Sequence, residues 1–140
     1  MFLVDEAHAL GVMGIQGRGL CYGLSEPITM LSGTFGKAFG TGGAFLATNK
    51  IFGEHILQTS GAFRYTTALA PPLAAAALEA LNLIKAHQNW SKSLQKKSLE
   101  WRSKLLQKGW AIPEGEGPII PLILGSDEQS VDMQCHLERN

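Results

Sequence analysis

The sequence predicts an α/β fold, and three observations carry that expectation. A short apolar run, Phe2-Leu-Val4, ends in acidic and polar residues, as a buried parallel strand does at its carboxyl end. A second apolar run, Ile28 to Leu31, stops at Ser32-Gly-Thr34 and a glycine cluster. Between and after such strands lie stretches with helical spacing, above all Leu73 to about Ala86. Strands alternating with helices make a mostly parallel sheet covered by helices.

Taken in order, Asp5-Glu-Ala-His8 follows the first strand. A carboxylate and an imidazole three residues apart at a strand end can both face one ligand. Equally, Asp5 can cap a helix, with Glu6 on its dipole and His8 exposed. Gly11 to Gly19 holds four glycines in nine residues and reads as a loop of tight turns. Its one cation, Arg18, suits either an anion or a structural pair. Ile28 to Gly33 is the next strand and Gly43-Ala-Phe-Leu-Ala-Thr48 the one after, with Lys37 in the loop between them. A helix runs from Asn49 or Lys50 to about Gln58, and Phe63-Arg-Tyr-Thr-Thr67 is short and rich in β-formers. Pro71-Pro72 suits the first turn of the long alanine- and leucine-rich helix, which is apolar nearly all round and so expected to be buried. Thr66 and Thr67 before it are caps or phosphate contacts. Asn89 to Lys108 forms a polar helix that Gly109 ends, with its lysines on a solvated face. Ile119 to Leu124 reads as an edge strand broken by Pro121, and Ser126-Asp-Glu-Gln129 as a capping box that starts a last helix. The change of composition near Gln88 divides the chain into residues 1–88 and 89–140, parts of two domains.

Composition excludes several classes. Twelve basic and twelve acidic side chains balance, so charge points to neither nucleic acid nor an anionic membrane. No apolar run spans a bilayer, and the first residues lack the basic region, long apolar stretch and cleavage site of a signal peptide, so they are not expected to be one. Cys21 and Cys135 match neither a disulfide framework nor a zinc pattern, so no metal is expected and a reduced, cytoplasmic protein is. Met1-Phe-Leu-Val4 begins inside a strand and Asn140 falls inside a helix, so the chain is expected to be a piece of a longer protein.

The chemistry concentrates at Met30 to Gly43. A phosphate-binding P-loop fails there, because Lys37 is followed by Ala38 and Leu31 stands where the first glycine belongs. No dinucleotide glycine fingerprint occurs either. What remains is a lysine among glycines, hydroxyls and backbone donors, suited to Schiff-base chemistry on a phosphorylated cofactor, or else a plain hairpin with a solvated lysine.

Two families resemble parts of this pattern. Phe2-Leu-Val-Asp-Glu-Ala-His8 resembles motif II of DEAH-box helicases, in which the acidic pair handles magnesium and the attacking water, and Leu31-Ser-Gly-Thr34 resembles their next motif. The glycine cluster around Lys37 and the lack of a basic stripe stand against it. Asp5-x-x-His8, the Gly-x-Gln-Gly-Arg-Gly19 loop, Thr34-Phe-Gly-Lys37 and Tyr65-Thr-Thr67 before Pro-Pro together resemble the α-oxoamine synthases, pyridoxal-phosphate enzymes of fold type I. Order and approximate spacing agree along essentially the whole chain. The resemblance implies part of the large cofactor-binding domain followed by the start of a small α+β domain. It implies pyridoxal 5'-phosphate held as an aldimine on Lys37, with Lys37 and His8 catalytic. Asp5 would pair with the pyridine nitrogen, His8 with the phenolic oxygen and Thr34 with the phosphate. Thr67 would reach the phosphate of the neighbouring subunit of a homodimer. The implied partners are L-alanine and an acyl-CoA or acyl-carrier-protein thioester, most like the branch that uses a pimeloyl thioester in biotin synthesis, with the ligase branch of threonine degradation next. The family's ring-stacking histidine and carboxylate-binding arginine are not found in this chain; Arg139 is not assigned the latter role.

Overall fold

The computed structural model describes residues 1–25 and 27–139, and the fold is α/β. Its elements are β1 (Leu3–Asp5), a 3-10 turn (Ile15–Gly17), β2 (Met30–Thr34), β3 (Ala44–Thr48), α1 (Lys50–Thr59), α2 (Gly61–Arg64), α3 (Pro71–Ala86), α4 (Asn89–Gln107) and α5 (Asp127–Glu138). The chain divides into two compact units, Met1–Leu94 and Gln95–Asn140, with the boundary inside α4. Among the described residues no helix is long and apolar enough to cross a membrane.

In the first unit the strands lie in the order β1-β2-β3. β1 runs parallel to β2, with Asp5 opposite Ser32, so both strands end on the same side. β2 and β3 are antiparallel and joined by residues 35–43. Gly33 is a packing requirement: a Cβ there would come within 2.6 Å of Leu10 and of the Phe45 ring. The helices begin where their caps dictate. Asn49 accepts the Phe52 N–H at α1, Ser60 accepts the Phe63 N–H at α2, and Pro71 and Pro72 occupy the first turn of α3.

Three expectations are corrected here. Phe63-Arg-Tyr is not extended: the Ser60 cap turns Gly61–Arg64 into a short helix, and Arg64 donates to the Gln58 carbonyl at 2.9 Å. Phe2 and Leu3 are not buried, being 68% and 64% exposed, because β1 lies at one end of the strand order. In α3 only Ala77 is buried, while Leu78 is 61% exposed.

The second unit is organised by the middle of α4. Arg102, 8% exposed, donates to the carbonyls of Pro113 (3.0 Å), Gly117 (3.2 Å) and Ile119 (2.6 Å). Ser98 donates to the same Gly117 carbonyl at 2.7 Å. These bonds claim backbone acceptors of the segment around Ile119–Leu124, which forms no strand, against the sequence expectation. Gly109, at φ +86°, follows the end of α4, and Ser126 accepts the Gln129 N–H at the start of α5.

Candidate active site

The site lies where parallel β1 and β2 end, the usual ligand position in an open α/β sheet. Asp5 closes β1 and its Oδ1 accepts the Ala7 N–H at 2.8 Å, starting a tight turn. The Glu6 carbonyl then accepts from Ala9 and Leu10, both at 2.9 Å, and this turn brings His8 out to solvent. Thr34 closes β2. Its hydroxyl accepts the Gly36 N–H at 3.1 Å and donates to the Gly43 carbonyl at 3.2 Å. The Lys37 loop is built rather than loose. Phe35 N–H bonds Gly43 O, Thr41 N–H bonds Phe35 O and Gly40 N–H bonds Lys37 O, each at 2.9 Å. Phe35 packs between Phe39 and Phe45, with ring centroids 5.4 and 5.5 Å away. A braced loop fixes where the lysine stem starts.

From there Lys37 Nζ reaches His8 Nε2 at 2.8 Å, across 29 residues of sequence. The motifs after β1 and after β2 therefore meet in one place, with Asp5 three residues before His8 and Thr34 three before Lys37. Among the described residues Lys37 forms no ion pair with a carboxylate. Thr67 lies in the exposed segment between α2 and α3, and no hydrogen bond ties it to the other four. Arg18 stacks on Tyr22, 4.6 Å from the ring centroid, and donates to its hydroxyl. Among the described residues no cluster of metal-binding side chains occurs.

Glu6 is the residue that sequence reading missed. It is 2% exposed, and its carboxylate accepts the N–H groups of Leu20 (3.0 Å) and Cys21, pinning the end of the glycine loop beneath the Asp5–His8 turn. Gly19, at φ +91°, passes so close that a Cβ would stand 2.9 Å from that carboxylate. Nothing in the spacing shows that the side chain between Asp5 and Ala7 points inward. The observation also counts against the helicase resemblance, which requires this carboxylate to face magnesium and water. Glu6 further sets the state of Cys21: a hydrogen bond to its carboxylate, then partial burial, then its negative charge push the thiol above its ordinary pKa. Because the thiolate is the reactive form, exposed Cys135 is expected to alkylate with iodoacetamide before Cys21, as read by peptide mapping. Equal rates at the two cysteines would contradict this.

With the geometry in place, comparison with known proteins gives the class. The chain belongs to the aminotransferase class I and II family, which it matches over residues 1–137. A curated protein of Acetivibrio thermocellus is 40% identical over 139 residues, covering 98% of this chain and 36% of that protein. The 8-amino-7-oxononanoate synthase of Lysinibacillus sphaericus is 35% identical, covering 96% of this chain and 35% of the synthase. Among solved structures, 8-amino-7-oxononanoate synthase from Francisella tularensis superposes with a TM-score of 0.84 at 28% identity, over 99% of this chain and 42% of that one. A serine palmitoyltransferase from S. paucimobilis, solved with a bound PLP–myriocin aldimine, has the same score and identity, over 95% of this chain and 36% of that chain. The fold is thus part of the large domain of fold type I PLP-dependent enzymes, and the chain spans about 36% of the length of the curated relatives it matches. The helicase alternative falls with this family match.

Proposed function

We propose that this chain supplies the lysine side of the active site of a PLP-dependent C-acyltransferase that condenses L-alanine with a pimeloyl thioester, releasing carbon dioxide and the thiol carrier, to give 8-amino-7-oxononanoate for biotin synthesis. The observation that carries it is the 2.8 Å contact between Lys37 Nζ and His8 Nε2 at the shared end of β1 and β2.

The donor set fits pyridoxal phosphate. Lys37 offers an amine for its aldehyde, and Asp5 a carboxylate that would hold a proton on the pyridine nitrogen. His8 would donate to the phenolic oxygen. Thr34, with the N–H groups of its glycine loop, would hold the phosphate, and Thr67 would do so across a homodimer interface. When bound, the cofactor supplies an electron sink for the pair left at the substrate α-carbon. Lys37 would then move protons at that carbon. Asp5, His8, Lys37 and Thr67 are all exposed in this chain, so it does not by itself exclude water from the reacting atoms. We therefore read the isolated chain as inactive and the activity as belonging to a complete, cytoplasmic homodimer.

The test is reduction with borohydride after adding pyridoxal phosphate, followed by peptide mapping. A phosphopyridoxyl group on Lys37, together with no product from L-alanine and pimeloyl-CoA, is expected. A folded chain with no adduct at Lys37 would remove the proposal's main support. The serine palmitoyltransferase likeness keeps a second reading open, that of an α-oxoamine synthase with another amino acid, such as a 2-amino-3-ketobutyrate CoA ligase. A change in the absorbance of the loaded protein with glycine or L-serine but not L-alanine would favour it.

A further inference from the structure

We propose that His8 is the base that readies Lys37 for the cofactor: it takes the proton from the amine before the aldehyde arrives and returns it to the departing oxygen. This rests on the reading of Lys37 as the covalent anchor and goes beyond it, because the anchor reading assigns His8 only to the bound cofactor.

A protonated lysine amine has no lone pair and cannot attack a carbonyl, and at neutral pH a lysine is ordinarily protonated. Something must take that proton, and among the described residues the side-chain acceptor within hydrogen-bond distance of Lys37 Nζ is His8 Nε2. Glu6 is buried, with both carboxylate oxygens engaged by Leu20 and Cys21. Asp5 Oδ1 is engaged by the Ala7 N–H, and no carboxylate among the described residues forms an ion pair with Lys37. A carboxylate in that place would hold the amine charged. The imidazole instead meets Nζ at 2.8 Å, and in its Nδ1–H tautomer Nε2 is an open acceptor. The hydrogen bonds within the Asp5–Leu10 turn and the Phe35–Gly43 loop fix both ends of the pair.

The steps balance. The proton moves from Nζ to Nε2, leaving a neutral amine and an imidazolium. The nitrogen lone pair forms a C–N bond to the aldehyde carbon as the carbonyl π pair moves to oxygen, and one nitrogen proton passes to that oxygen. The imidazolium then gives its proton to the hydroxyl as the C–O bond breaks. The products are a protonated C=N bond, one water and a neutral His8, with no oxidant or reductant involved.

The experiment uses the whole chain and reads the rate of C=N formation by stopped-flow absorbance at saturating pyridoxal phosphate, with the product reduced and mapped. For wild type, the adduct is expected on Lys37. For His8→Phe, the same adduct is expected more slowly by between about 10²- and 10⁴-fold, the usual range for a positioned acid–base group, and faster again with added imidazole. His8 is exposed, so the substitution does not strip the core; His8→Asn, read the same way, serves if the phenylalanine variant aggregates. An unchanged rate on Lys37 would overturn the inference and leave the anchor reading standing. A slow rate that imidazole does not restore would make His8 a positioning group and would also overturn it. A wild-type adduct on another lysine, or none, would overturn the anchor reading and this inference together.

Discussion

Replacing Glu6 by alanine is expected to destabilise the Met1–Leu94 unit by about 3–4 kcal/mol. The side chain is 2% exposed and accepts two backbone N–H groups, from Leu20 and Cys21. Truncation takes the acceptor away from both part-buried donors and leaves the volume of a buried side chain empty, at a cost of about 1–3 kcal/mol for each lost bond. Against a total domain stability of about 5–15 kcal/mol, that is a large share. Glu6→Gln keeps the shape and one acceptor oxygen but turns an amide donor toward a backbone donor, so about half the loss is expected. Urea unfolding followed by circular dichroism measures both, with exposed Glu79→Ala expected to lie within about 0.5 kcal/mol of wild type. If Glu6→Ala and Glu79→Ala unfolded at the same urea concentration, the anchoring role would be wrong. The consequence reaches the candidate site, because the Glu6 carboxylate ties the end of the glycine loop to the turn that carries His8.

That residue also marks the limit of what the sequence discloses. Asp5, His8, Thr34 and Lys37 were legible as candidates because each follows an apolar run whose end is visible as a change of residue type, and strand ends are where ligands bind. Glu6 was not, since a period-two or turn pattern says which side a residue starts from and not whether a charge will be turned inward and satisfied there. The helices were legible for local reasons: prolines at the start of α3, Trp90, Leu94, Trp101 and Leu105 on one face of α4, Gly109 after it and the Ser126 cap before α5. Burial was not. The apolar residues of β1 and α3 state what favours being covered, yet Leu78 and Phe2 remain exposed in this chain. Ile119–Leu124 has the composition of a strand but no partner strand. Its neighbouring carbonyls bond a guanidinium from α4, a long-range choice that residue types in the segment cannot reveal.

The same guanidinium carries the second large effect. Arg102→Ala is expected to destabilise the unit beginning at Gln95 by about 3 kcal/mol, because it removes three charge-assisted bonds, to Pro113, Gly117 and Ile119, from a nearly buried site. Arg102→Lys retains the charge but not the planar fork: one ammonium cannot span carbonyls on three residues of a loop, so about 1–2 kcal/mol of the loss should remain. Arg102→Met is the informative variant. The Nε atom is buried without a partner, so part of the cost of burying this cation goes uncompensated in the native protein. An apolar side chain of similar length removes that cost while leaving the carbonyls less well satisfied, which an acceptor with two lone pairs tolerates better than a donor does. The expected order of stability is therefore wild type, then methionine, then lysine, then alanine. Hydrogen exchange of the peptide covering residues 111–121 reads it directly, with faster exchange in that order. If methionine exchanged as fast as alanine, the three hydrogen bonds rather than the filled volume would account for the whole contribution of Arg102. If alanine exchanged as slowly as wild type, the loop would be held by Ser98 and its own turns, and Arg102 would be a passenger in the packing.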